Sequence, residues 1–143
     1  MTEISSYLFL AGGLPFFVLG LAHARATPLR QSDRKGLSPA DPAVSEAMAR
    51  TRPLFTKQTD IWRGWVSFNL SHSLGAVLFA AFVFLIGRND AVFEQNAVPA
   101  LTLAIATSAT YLWLAVNYWF RIPIVGCAMS CACFVLSAAA RLL

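Results

Sequence analysis

The chain has 143 residues, of which 57% are hydrophobic and 13% charged, whereas soluble domains carry roughly 25% charged residues. With a mean hydropathy of +0.61, an ordinary soluble core is excluded, and the length suits one domain of about four spans of about 20 residues each. The formal net charge is +4, but the basic residues flank apolar runs, where they orient a membrane protein; no recognition motif accompanies them, which excludes nucleic acid as a partner.

The first span is predicted over residues 7–24. Glu3 precedes it and Arg25 follows it, without the basic n-region of a secretory signal, so the helix is expected to be retained with its N-terminus outside. Pro15 is expected to kink it, and Gly12, Gly13 and Gly20 to admit a close neighbour.

Residues 25–60 form the one long polar connection, carrying Arg25, Arg30, Arg34, Lys35, Arg50, Arg52 and Lys57. The stretch T-P-L-R-Q-S-D-R-K-G-L-S-P reads as irregular. Asp41 reads as an N-cap with Pro42 at the first helical position. Val44, Ala47, Met48 and Thr51 follow at helical spacing, predicting a short amphipathic helix, either at the membrane surface or against the bundle end.

The second span is predicted over 61–86 after an Asp60 cap, with Trp62, Arg63 and Trp65 at its cytoplasmic interface. A short outer loop follows, through Asn96. The third span, 97–119, ends in an aromatic belt that includes Tyr118, Trp119 and Phe120. Pro123 opens the fourth, 124–140, after a turn so short that these two helices must be antiparallel neighbours. The expected architecture is thus all-α: a four-helix transmembrane bundle in a single integral domain (1–143), with a cytoplasmic amphipathic helix between the first and second spans. The charge distribution puts 25–60 inside and both termini outside.

Cys127, Cys131 and Cys133 share one apolar segment, which argues against a disulfide framework. Without nearby His or carboxylate they also make a poor zinc pattern. They read as small helix residues, and no metal or cofactor is expected.

The chemistry concentrates in S-F-N-L-S-H-S-L-G, residues 67–75. On a helix, Trp65, Asn69, His72 and Ala76 share one face. Asn and His cost a few kcal/mol in hydrocarbon unless paired, so this face is expected to turn inward. Depth counting puts His72 roughly 16 Å and Asn69 roughly 12 Å from the inner boundary. Thr110, Trp113 and Asn117 share a face of the third span, with Asn117 roughly 5 Å from the same boundary and the other two deeper, which predicts a polar cavity in the inner half of the bundle lined by Asn69, His72, Thr110 and Asn117, with Trp65 and Trp113 as walls. His23 is counted as lying near the inner end of the first span, about 10 Å from His72 in depth. That separation argues against a haem held by both histidines. The competing reading makes Asn69 and His72 interhelical hydrogen-bond partners worth about 1 kcal/mol each.

The stretch W-R-G-W-V-S-F-N-L-S-H-S-L-G, with G-L-A-H-A in the first span, resembles a group of small, uncharacterised bacterial inner-membrane proteins with four predicted spans. The resemblance covers about a third of the chain. It implies a similar architecture and supplies no activity.

Two functions of different class follow from the residues, with a transport subunit, which four short helices could form only as an oligomer, as a further alternative. One is a binding or accessory protein that holds a lipid, a hydrophobic small molecule or a partner helix at the polar site, alone, as a homo-oligomer or in a larger membrane complex. The other is a membrane enzyme with His72 as general acid or base and His23 contributing from the interface. All seven acidic residues (Glu3, Asp33, Asp41, Glu46, Asp60, Asp90 and Glu94) are predicted outside the hydrocarbon, which weighs against catalysis and against proton transport.

Overall fold

The computed structural model describes residues 2–142 and is helical throughout its regular structure. The elements are α1 (Thr2–Ala26), α2 (Pro42–Arg50), α3 (Ile61–Gly87), α4 (Asp90–Tyr118) and α5 (Arg121–Ala139), with no strand among the described residues. Helices α1, α3, α4 and α5 are each long and apolar enough to cross a membrane, so the chain is a polytopic membrane protein with four candidate spans.

The helix ends follow local chemistry. Asp41 caps α2 by accepting from the Ala43 amide at 2.9 Å, with Pro42 in the first helical position. Asn89 caps α4 by accepting from the Val92 amide at 3.1 Å. This corrects the expected outer loop: residues 90–96 are helical, and Asp90 and Glu94 lie in the opening turns of α4, where negative charge complements the helix dipole. Pro123 falls in the first turn of α5, where its missing N–H leaves no intrahelical bond unmade. Helix α1 runs unbroken through Pro15, and α4 likewise contains Pro99.

Helix α2 forms where expected, but its inward side is different. Ser45 is buried and Met48 and Ala49 are partly buried, while Val44 and Ala47 are exposed. The covered side of α2 is thus the one that carries Ser45, and the apolar positions are divided between two sides of the helix.

The chain separates into two compact units, one of residues up to Leu19 together with Ala76 onward, the other Gly20–Gly75. In the first, segments of all four long helices pack around a phenylalanine core. The Phe9 ring lies 4.9 Å from Phe93 and 5.6 Å from Phe134, and Phe79 lies 6.0 Å from Phe134. Ala97, Ala100 and Ala104 provide the small residues against which these rings sit. A second cluster joins Phe16 to Phe79 and Tyr111 at 4.7 and 5.1 Å in edge-on geometry, the arrangement that opposes ring edge to ring face.

Polar clamps hold the same unit. Ser5 Oγ donates to the Ser137 carbonyl at 2.9 Å and Ser137 Oγ donates to the Ser5 carbonyl at 2.7 Å, a reciprocal pair wholly buried between α1 and α5. Arg141 makes a two-pronged ion pair with Glu94 at 2.7 and 2.8 Å, and its guanidinium sits 5.6 Å from the centre of the Phe93 ring. Ser108 and Thr110 donate to carbonyls of their own helix, whereas the buried Ser130 hydroxyl has no partner among the described residues.

Gly12 marks the tightest approach. A β-carbon there would stand 2.5–2.8 Å from the Phe134 ring, whose own packing against Phe9 and Phe79 leaves it little room to move. Gly12→Ala is therefore expected to destabilise the protein by about 1–3 kcal/mol, the usual cost of overpacking. Thermal unfolding in detergent checks this; an unchanged midpoint would show that the ring yields freely.

Candidate functional site

The second unit, Gly20–Gly75, holds the C-terminal end of α1, the connection, α2 and the first half of α3. Its irregular segment is ordered by side chains standing in for backbone partners. The Thr27 hydroxyl returns to the His23 carbonyl at 2.9 Å and closes α1, with Pro28 next. Asp33 Oδ2 accepts from the Leu29 and Arg30 amides at 3.2 and 3.0 Å. The Leu37 amide reaches the Ala26 carbonyl at 3.1 Å. Residues 29–38 are thereby folded back on the end of α1.

Asn69 is the centre of the polar site. It is 5% exposed, and its amide nitrogen donates to the Trp65 carbonyl one turn earlier at 2.7 Å. That bond fixes the orientation of the carboxamide, leaving Oδ1 to face His23 Nε2 at 2.9 Å. An oxygen there requires a donor, so Nε2 of His23 carries the proton and, in the neutral ring, Nδ1 is the acceptor. Ser73 continues the series by donating to the Asn69 carbonyl at 2.9 Å.

The His72 ring stands 5.1 Å from the His23 ring and lies nearly parallel to the Phe68 ring at 6.4 Å. This corrects the depth count, which separated the two histidines. Counting along helix axes ignores that side chains lean toward the N-terminus of their own helix. In two successive, oppositely running helices, that lean carries His23 deeper and His72 shallower, and the rings meet. They are nevertheless too close for a porphyrin to lie between them, and His23 Nε2 is engaged by Asn69. Among the described residues no three His, Cys, Asp or Glu side chains are grouped to hold a metal ion.

The remaining expected site residues are placed otherwise. The Trp65 ring lies 5.3 Å from Trp62, and Trp62 is 5% exposed, an internal packing residue and not the interfacial anchor expected of it. Thr110, Trp113 and Asn117 lie exposed on α4, in the other unit. Thr110 donates to the Ala106 carbonyl at 2.8 Å and Asn117 to the Trp113 carbonyl at 2.7 Å, so each polar group is satisfied by its own helix. Tyr118, Trp119 and Phe120 are exposed as a belt requires.

The sequence reading missed a cleft of about 920 Å³ between α3 and the folded-back segment. Its apolar wall is Trp62, Val66, Leu70 and Leu74, and Arg63, Ser67, Ser71, Gln31 and Ser32 supply polar groups. At 100° per residue the cleft positions Ser67 and Leu70 point away from His72, so Asn69 and Ser73 form a buried seam between two different faces. The i, i+4 series Trp62, Val66, Leu70, Leu74 was the signal available in the sequence; the other wall belongs to an irregular segment with no periodicity to read.

The His23–Asn69 bond joins two helices and should show energetic coupling. Single His23→Ala and Asn69→Ala variants are each expected to lose about 1 kcal/mol of stability. In a double-mutant cycle the paired variant should lose clearly less than the sum of the two. Strict additivity would show that the contact contributes nothing.

A scan of protein-family models, a search of curated proteins and a search of solved structures each return no match to this chain.

Proposed function

We propose that this protein binds a lipid or another hydrophobic small molecule in the cleft on α3, in a binding or accessory role. The observation that carries the reading is the cleft itself: about 920 Å³, within the size range of small-molecule sites, with an apolar wall for a hydrocarbon body. Arg63, Ser67 and Gln31 offer donors for a polar head, and the Ser71 hydroxyl, which donates to the Phe68 carbonyl at 2.9 Å, offers an acceptor. The His23–Asn69 bond supports the site from behind by fixing α3 against α1. The connection 25–60, with α2, lies on the cytoplasmic side by the charge rule and both termini lie opposite. The setting is a bacterial inner membrane, where the protein acts alone, as a homo-oligomer or within a larger membrane complex.

Filling the cleft tests this. Wild-type protein is expected to carry a lipid or other hydrophobic small molecule in native mass spectrometry, and Ser67→Trp and Leu70→Trp are expected to abolish its retention while leaving the unfolding temperature within a few degrees of wild type. Full retention by both variants would remove the cleft as the site.

A membrane enzyme is the second reading, favoured by one observation: His72 meets a second titratable group, His23, at 5.1 Å between rings. One imidazole could take up a proton while the other releases one, and Asn69 would set the tautomer of His23. Incubation of the purified protein with a membrane lipid extract, followed by mass analysis, should then yield a product that is absent with His72→Gln. An unchanged extract from the wild-type protein counts against catalysis.

A further inference from the structure

The connection between α2 and α3 carries two large apolar side chains that the polypeptide leaves uncovered. Leu54 is 108% exposed and Phe55 is 90% exposed. They occupy the tip of a turn closed by the Thr56 amide on the Pro53 carbonyl at 3.4 Å. The base of the loop is tied where the Ile61 amide donates to the Thr51 carbonyl at 2.9 Å. Ile61 is also the first residue of α3, a helix long and apolar enough to cross a membrane. The loop is thus anchored at the end of a span, the level at which lipid headgroups lie.

Beside the tip is a recess of about 400 Å³ lined by Arg50, Arg52, Lys57, Asp60 and Arg63, among others. Its charges are not equally engaged. Asp60 caps α3 by accepting from the Arg63 amide at 2.9 Å and lies 3.5 Å from the Arg63 side chain. Arg50 meets Glu46 at 3.4 Å in a pair with 72% and 59% of the two side chains exposed, a contact of little strength in water. No ion pair is made by Arg52 or Lys57 among the described residues. A net positive recess next to an uncovered Leu-Phe tip is complementary to one chemical object, an anionic phosphate group with hydrocarbon attached below it.

We propose that residues 50–63 form a binding site for the headgroup of an anionic phospholipid, with Arg52 and Lys57 on the phosphate and Leu54 and Phe55 inserted among the acyl chains. This site adjoins the α3 cleft, with which it shares only Arg63, and it stands whether or not the cleft holds a ligand. Charge selects the lipid class, and the two apolar side chains add affinity without selectivity.

The test is native mass spectrometry of the full chain in detergent, supplied with equal amounts of phosphatidylglycerol and phosphatidylcholine. The wild-type protein should retain phosphatidylglycerol preferentially. Arg52→Gln with Lys57→Gln should reduce that preference by roughly 5-fold per charge removed, and Leu54→Ser with Phe55→Ser should reduce retention of both lipids while keeping their ratio. An unchanged ratio in the Arg52→Gln/Lys57→Gln variant overturns the proposal. The wild-type protein supplies a check free of any folding defect: its preference should decline as sodium chloride is raised, and a salt-independent preference overturns the assignment of charge. Millimolar inorganic phosphate should leave the bound phosphatidylglycerol in place; complete displacement would identify a free-anion site and overturn the lipid assignment.

Discussion

In hydrocarbon no water is present to satisfy a polar group, and this constraint organises the molecule. It forces the backbone of each candidate span into a helix, in which every interior amide has its own acceptor. It then acts on side chains. Asn69, Asn96 and Asn117 all donate to the carbonyl one turn back, and so do Thr110 and Ser73. Only where two helices approach closely does a side chain reach across, as Ser5 and Ser137 do in a fully buried pair. The His23–Asn69 bond follows the same rule: one end of the carboxamide is satisfied by its own helix and the other by a neighbour.

This economy separates structural polarity from polarity available to a ligand. Asn69 has one donor bond and one acceptor bond, and both lie inside the protein, so its first role is to fix α1 against α3 and to set the tautomer of His23. His72 is different in kind, a partly buried ring near another imidazole and the Phe68 ring. The α3 cleft differs again, since the hydroxyls on its rim stand beside an apolar wall of a size suited to a small molecule. The seam of Asn69 and Ser73 divides these two faces of one helix.

Much of the organisation was legible in the residues. The four apolar runs, the Asp41 cap, the inward turn of Asn69 and the pairing of the last two helices through a very short turn all follow from local chemistry and from the cost of polar groups in lipid. The start of α4 was misjudged because Arg88, Asn89 and Asp90 look like a loop by charge, while Asn89 and Asp90 are also what a helix start requires. Trp62 was assigned to the interface on residue type alone, yet it is buried, with its ring 5.3 Å from Trp65. Thr110 and Asn117 were grouped with Asn69 by depth, a coordinate that says nothing about which direction each helix face points.

The sequence by itself determined that the chain is helical and membrane-spanning, where the helices lie to within a few residues, and which short stretch concentrates the polar chemistry. Hydrophobicity and capping are local properties, so local sequence carries them. Tertiary structure alone decided that His23 and His72 meet, that Asn69 is satisfied within the protein, and that a cleft opens on the opposite flank of α3. Those outcomes depend on the lean of side chains from oppositely running helices and on the path of an irregular segment held by Asp33 and Thr27. They are relations between residues distant in the chain, and no periodicity along it encodes them.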